Sequence, residues 1–65
     1  MNSNTTDSVL EAFLRALPNR DRAVFLKEIV FGSTPAETAD ALDLKESEVR
    51  KSERRIATKM LEHQL

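Results

Sequence analysis

The chain has 65 residues, no cysteine and a formal net charge of −1 at pH 7. One small domain with a modest core is the only arrangement this length supports, and the missing cysteines exclude disulfides and thiolate-held zinc. No apolar run approaches the ~20 residues of a membrane span, and the first eight residues lack the basic and apolar regions of a signal peptide. A soluble cytoplasmic protein with no membrane partner is therefore expected.

The polar residues 1–6 read as a disordered N-terminus, which leaves 7–65 as the domain. A first helix is expected over about 8–17. Asp7 or Ser8 can cap it, Ser8 with Glu11 fits a capping box, and Val9, Leu10, Phe13, Leu14 and Leu17 form one apolar stripe. Pro18 ends it, because the residue before a proline disfavours the helical region.

A second helix is expected over about 20–31, capped by Asn19. Its apolar positions are Ala23, Val24, Leu26, Ile29 and Val30, with Arg20, Asp21, Arg22, Lys27 and Glu28 as the wet face. Phe13, Phe25 and Phe31 read as core, and Phe31, beside the Gly32 turn, is the one placed to meet a partner. Gly32, the only glycine, follows the last apolar residue, where a helix commonly ends in a left-handed conformation.

The third and fourth helices have clearer signals. Thr34 as N-cap, Pro35 at the first helical position and Glu37 three residues after the cap open a helix over about 35–42. The small Ala39 lets a neighbour come close. The apolar periodicity breaks at Asp43-Leu44-Lys45 and resumes over about 46–63 with Val49, Ile56 and Met60 inward. No strand signal and no internal repeat are visible. The fold class is all-α, four helices, the last two forming a helix-turn-helix.

Charge is unevenly placed. Residues 1–44 carry four basic side chains against seven acidic ones, whereas residues 45–59 carry six basic against three acidic. On the fourth helix Ser47, Arg50, Lys51 and Arg54 fall opposite the apolar stripe and near the helix start, where a recognition helix reaches base edges in a major groove. Lys45, Arg55 and Lys59 lie where phosphates would pass. The plainer alternative is a solvated face of a small bundle. His63, the only histidine, reads as a solvated terminal residue. No catalytic set, metal site or cofactor motif is visible, so no enzyme activity is expected.

The stretch L-P-N-R-D-R-A-V-F-L-K-E-I-V-F-G-S-T-P-A-E-T-A-D-A-L-D-L-K-E-S-E-V-R resembles region 4 of bacterial sigma factors. Leu17, Pro18, Arg20, Arg22, Val24, Phe25, Gly32, Glu37, Ala39, Leu42, Leu44, Val49 and Arg50 stand at matching places without a gap. The likeness covers about residues 14–61. The segment V-R-K-S-E-R-R-I-A-T-K-M is also similar to the reading helix of LuxR-type regulators. The resemblance implies a transcription regulator that binds double-stranded promoter DNA. Helix four would enter the major groove, with Arg50, Lys51 and Arg54 as base or phosphate readers and Arg20 and Arg22 as backbone contacts.

The chain departs from that family in three ways. Ser33 and Thr38 stand where apolar residues are usual, so their hydroxyls must find partners or stay wet. Glu46 and Glu48 suit the positive end of the helix dipole but would face phosphates. No segment corresponds to sigma region 2, so a stand-alone homologue or an excised domain is expected. The resemblance also implies a second function class: a module that binds RNA polymerase subunits or a sigma, anti-sigma or activator partner, with little DNA affinity of its own. A homodimer through the last helix, using Met60, Leu61 and Leu65, is a further possibility.

Overall fold

The computed structural model describes residues 4–63, with side chains from Val9 onward. Among these residues there are four helical segments and no strand: α1 (Asn4–Ala16), α2 (Asn19–Phe25) running on into a π-helical turn (Leu26–Val30), α3 (Pro35–Leu42) and α4 (Glu46–His63). α4 is the spine. It packs on α2 and α3, and more lightly on α1.

α1 starts at Asn4, ahead of the expected start at 8, so Ser8 lies inside the helix and is not its cap. Of the stretch expected to be disordered, 4–6 are helical, and residues 1–3 lie outside the described residues, as does Leu65. Phe13 and Leu17 anchor α1 in the core, while Val9 and Leu10 stay on its outer side. α1 ends one residue short of Leu17, as Pro18 requires. Its last carbonyls are gathered by Arg22, whose Nε donates to the Leu14 oxygen at 2.9 Å and Nη2 to the Leu17 oxygen at 3.0 Å. A cation there also suits the negative end of the helix dipole.

Asn19 is not the cap of α2. Pro18 occupies that position without a side-chain bond, and Asn19 Oδ1 instead accepts from Arg22 Nη1 at 3.2 Å. The inward row of α2 is Asp21, Val24 and Phe25, continued by the partly buried Glu28, rather than the row through Ala23, Leu26 and Ile29. Two acids thus bracket the apolar pair on the buried side. The π turn then closes one residue late: the Phe31 N–H donates to the Leu26 oxygen, five residues back, at 3.1 Å. The extra residue leaves Ile29, Val30 and Phe31 exposed, so Phe31 is not core. Gly32, at φ 73, reverses the chain, and the Ser33 N–H reaches back to the Lys27 oxygen at 2.9 Å.

α3 and α4 have the expected bounds. The Thr34 capping box is complete: Thr34 Oγ1 accepts from the Glu37 N–H at 3.1 Å, and the Thr34 N–H donates to Glu37 Oε1 at 2.9 Å. Asp43 takes the left-handed conformation at φ 58, and the Leu44 N–H closes onto the Ala39 oxygen at 2.8 Å. That is a Schellman ending with aspartate in the place usually held by glycine.

The core joins Phe13 of α1 and Leu17 just after it, Val24 and Phe25 of α2, Ala39 of α3, and Val49 and Ile56 of α4. Phe13 and Phe25 meet edge to face at 5.4 Å. The Phe13 ring also meets that of His63 edge to face at 5.7 Å, so His63 ties the end of α4 to α1. Thr38 is fully buried with no partner for its hydroxyl oxygen among the described residues, whereas Ser33 stays partly wet. Ser52, not Met60, fills the inward row of α4 between Val49 and Ile56, and Met60 lies at the rim.

Candidate nucleic-acid interface

α4 begins with charge already organised. The Lys45 N–H donates to Glu48 Oε1 at 2.9 Å, and Arg20 Nη1 donates to Glu48 Oε2 at 3.2 Å. Both oxygens of one carboxylate are thereby occupied, and the backbone donor at Lys45, more than any other group, holds the Glu48 carboxyl below its usual range. Glu48 is a cap and a brace between α2 and α4, not a free anion at the reading surface. Glu46 lies one turn before Arg50, whose Nη2 donates to it at 2.8 Å.

Further along α4, Arg55 turns toward α2. Its Nε and Nη2 donate to the two oxygens of Asp21 at 2.7 and 2.8 Å, and Nη2 also reaches Ser52 Oγ at 3.2 Å. Asp21 is fully buried. The guanidinium beside it holds its carboxyl below the ordinary aspartate value, and the same bonds raise Arg55 in turn. This fork fixes how α4 is rotated against α2.

The expected site residues therefore divide. Ser47, Arg50, Lys51 and Arg54 share the outward face near the start of α4, all exposed. Lys51 and Arg54 have no ion-pair partner among the described residues, and neither does Lys45 in the preceding turn. Lys59 is partly buried and lies 3.4 Å from Glu62. Three cations expected to face DNA are used inside the fold. Arg22 holds the α1 carbonyls, Arg55 neutralises Asp21, and Arg20 supports Glu48 while remaining part-exposed.

Asp21 and Glu48 are the residues that position this face, and the sequence marked both as surface charge. The available signal was spacing: Asp21 stands three before Val24 and Glu48 three after Lys45, the offsets of a helix face and a capping residue. The result is a two-helix unit with a rigid start, an apolar underside and an open side carrying Ser47, Arg50, Lys51 and Arg54. No helix among the described residues is long and apolar enough to cross a membrane. Residues 8–60 match the family model described as Sigma-70, region 4. No curated protein and no solved structure matches the chain.

Proposed function

Because the chain belongs to the sigma-70 region 4 family, whose role is transcription-related DNA binding, we propose that it is a non-enzymatic cytoplasmic regulator that docks α4 in the major groove of double-stranded promoter DNA. One observation carries this reading: the first turns of α4 present Ser47, Arg50, Lys51 and Arg54 together on a side that no other element among the described residues covers. Lys51 and Arg54 are the first readers. Arg50 joins them when a phosphate or base edge draws it from the exposed Glu46. Lys45 and Lys59 flank the groove as backbone contacts.

The test is selection of a preferred duplex, followed by binding measured over a range of salt. Each phosphate contact contributes roughly one unit to the slope of log K against log salt. Arg54→Ala and Lys51→Ala each flatten that slope if they touch phosphate, and relax the preferred site if they touch bases. Unchanged affinity and unchanged slope in both variants refute the assignment.

A second reading is supported by the exposed Phe31 and by the internal use of Arg20, Arg22 and Arg55. With fewer free cations, the domain acts mainly by holding an RNA polymerase subunit or a transcription-factor partner. Co-purification of polymerase subunits, with no DNA retained at low salt, decides for it.

A further inference from the structure

A groove runs between the π turn and α4. Phe25, Ile29, Ile56 and Met60 form its apolar walls, and Glu28 and Glu53 approach one another across it. One oxygen of Glu28 is buried with no hydrogen-bond partner among the described residues. Two ionised carboxylates are acceptors only, so a hydrogen bond joins them once one takes up a proton. No cation of the chain pairs with either among the described residues.

The two acids sit on parts of unequal firmness. α4 is pinned by the buried Val49 and Ile56 and by the fork from Arg55 to the buried Asp21. The π turn has no fully buried residue; its partly buried Leu26 packs on the core, while Ile29, Val30 and Phe31 lie exposed. The Phe31 N–H closes the turn onto Leu26, and the Ser33 N–H reaches back to Lys27. Between them Gly32, at φ 73, has no side chain to resist a change of direction.

We propose that Glu28 and Glu53 form a proton latch between the π turn and α4: while they share one proton the turn is held against α4, and when that proton leaves the turn lifts and the groove opens. With both acids ionised, like charges face one another and a buried anionic oxygen has neither donor nor water. α4 cannot yield without breaking the bonds between Asp21 and Arg55, so the turn gives way. Lifting it hydrates Glu28 and separates the two charges. The latch acts without DNA and without a partner protein.

The charged groups on the neighbouring elements are otherwise engaged. On α2, Asp21 is bonded to Arg55, and Arg22 to the carbonyls at the end of α1. On the turn itself, the Lys27 ammonium lies 5.3 Å over the Phe31 ring. On α3, Glu37 is held in its cap and Asp40 is exposed. On α4, Arg50 is bonded to Glu46, and Lys59 is paired with Glu62. Glu53 is the charged group that acts on Glu28. Burial first and Glu53 second push the Glu28 carboxyl from 4.5 up to about 7, so the latch works between those values.

The experiment is amide hydrogen exchange by NMR on the purified chain without DNA, from pH about 4.5 to above about 7. Each rate is divided by that of an unstructured peptide at the same pH, which leaves the protection due to structure. Protection of the Phe31 and Ser33 N–H groups is expected to fall about tenfold per pH unit between about 4.5 and about 7 and then to level off. The Leu44 and Val49 N–H groups, which close the end of α3 and the start of α4, stay better protected than the turn at every pH. Glu28→Gln, whose amide donates to Glu53 without a proton, keeps the turn protected across the range. Glu53→Gln removes the facing charge and leaves the burial, so the fall moves to lower pH. Turn amides that ignore pH in the native chain overturn the proposal. So do turn amides protected no differently from Leu44 and Val49 at every pH, which is unfolding of the whole domain. A response that persists in Glu28→Gln, or that Glu53→Gln leaves in place, overturns it as well.

Discussion

Replacing Asp21 by asparagine isolates the contact on which the orientation of α4 depends. Asp21 is fully buried and accepts two bonds from Arg55 at 2.7 and 2.8 Å. Asparagine keeps the shape and one acceptor, but it turns an NH₂ toward a guanidinium that can only donate. One charge-assisted bond is lost, worth about 1.5–3 kcal/mol, and a donor faces a donor. Breaking a wholly buried pair costs about 3–5 kcal/mol. Here the Arg55 side chain is 47% exposed and rehydrates, which holds the cost near 2–3 kcal/mol. For a domain this small that lowers the melting temperature by roughly 10–20 °C.

The assay is urea and thermal unfolding followed by circular dichroism, for the native chain and Asp21→Asn, across acid to neutral pH. The folded carboxyl sits below its unfolded value, so its stabilisation is complete above the ordinary aspartate range and disappears as pH falls through the depressed value. The gap between the two proteins therefore closes in acid. An Arg55→Gln partner completes a double-mutant cycle, in which the second substitution adds little to the first. If Asp21→Asn unfolds within about 0.5 kcal/mol of the native chain at neutral pH, it behaves as an ordinary surface substitution and the fork does not hold α4.

Three other outcomes follow from the same structure. Thr38→Val keeps the volume and removes a buried hydroxyl with no partner, so the domain gains about 1 kcal/mol in urea unfolding. Asp43→Gly relieves a non-glycine residue at φ 58 and raises stability by roughly 0.5–1 kcal/mol, whereas Asp43→Ala lowers it. Glu28 has a folded value near 7, above its unfolded 4.5, so the native state holds the extra proton between them. Stability then falls as pH rises from about 4.5 to about 7 and levels off beyond, and Glu28→Gln removes that decline in pH-resolved melting curves.

The second half of the fold was legible because its signals are local. The Thr34-Pro35-Glu37 cap and the apolar break at Asp43 depend on residues within a turn of each other, and α3 and α4 have the expected bounds. The outward face with Ser47, Arg50, Lys51 and Arg54 followed from the same periodicity. The π turn was not legible. Leu26, Ile29 and Val30 keep an α-helical spacing in the sequence, and only the closure from Phe31 to Leu26 shows that the turn is one residue wider. Nor could charge type tell wet from buried. Asp21, Arg22 and Arg55 read as surface ions, yet Asp21 and Arg55 pair across 34 residues and Arg22 reaches back across five and eight residues to the end of the first helical stretch. Such pairings exist only once the helices have docked.

The width of that turn has a consequence for chain length. One residue of helix corresponds to about 100° of rotation. Removing a single residue between 26 and 30 would restore ordinary winding and swing the apolar segment that follows toward the interior. Whether Ile29, Val30 and Phe31 stay at the surface is thus decided by a count of residues rather than by a side chain.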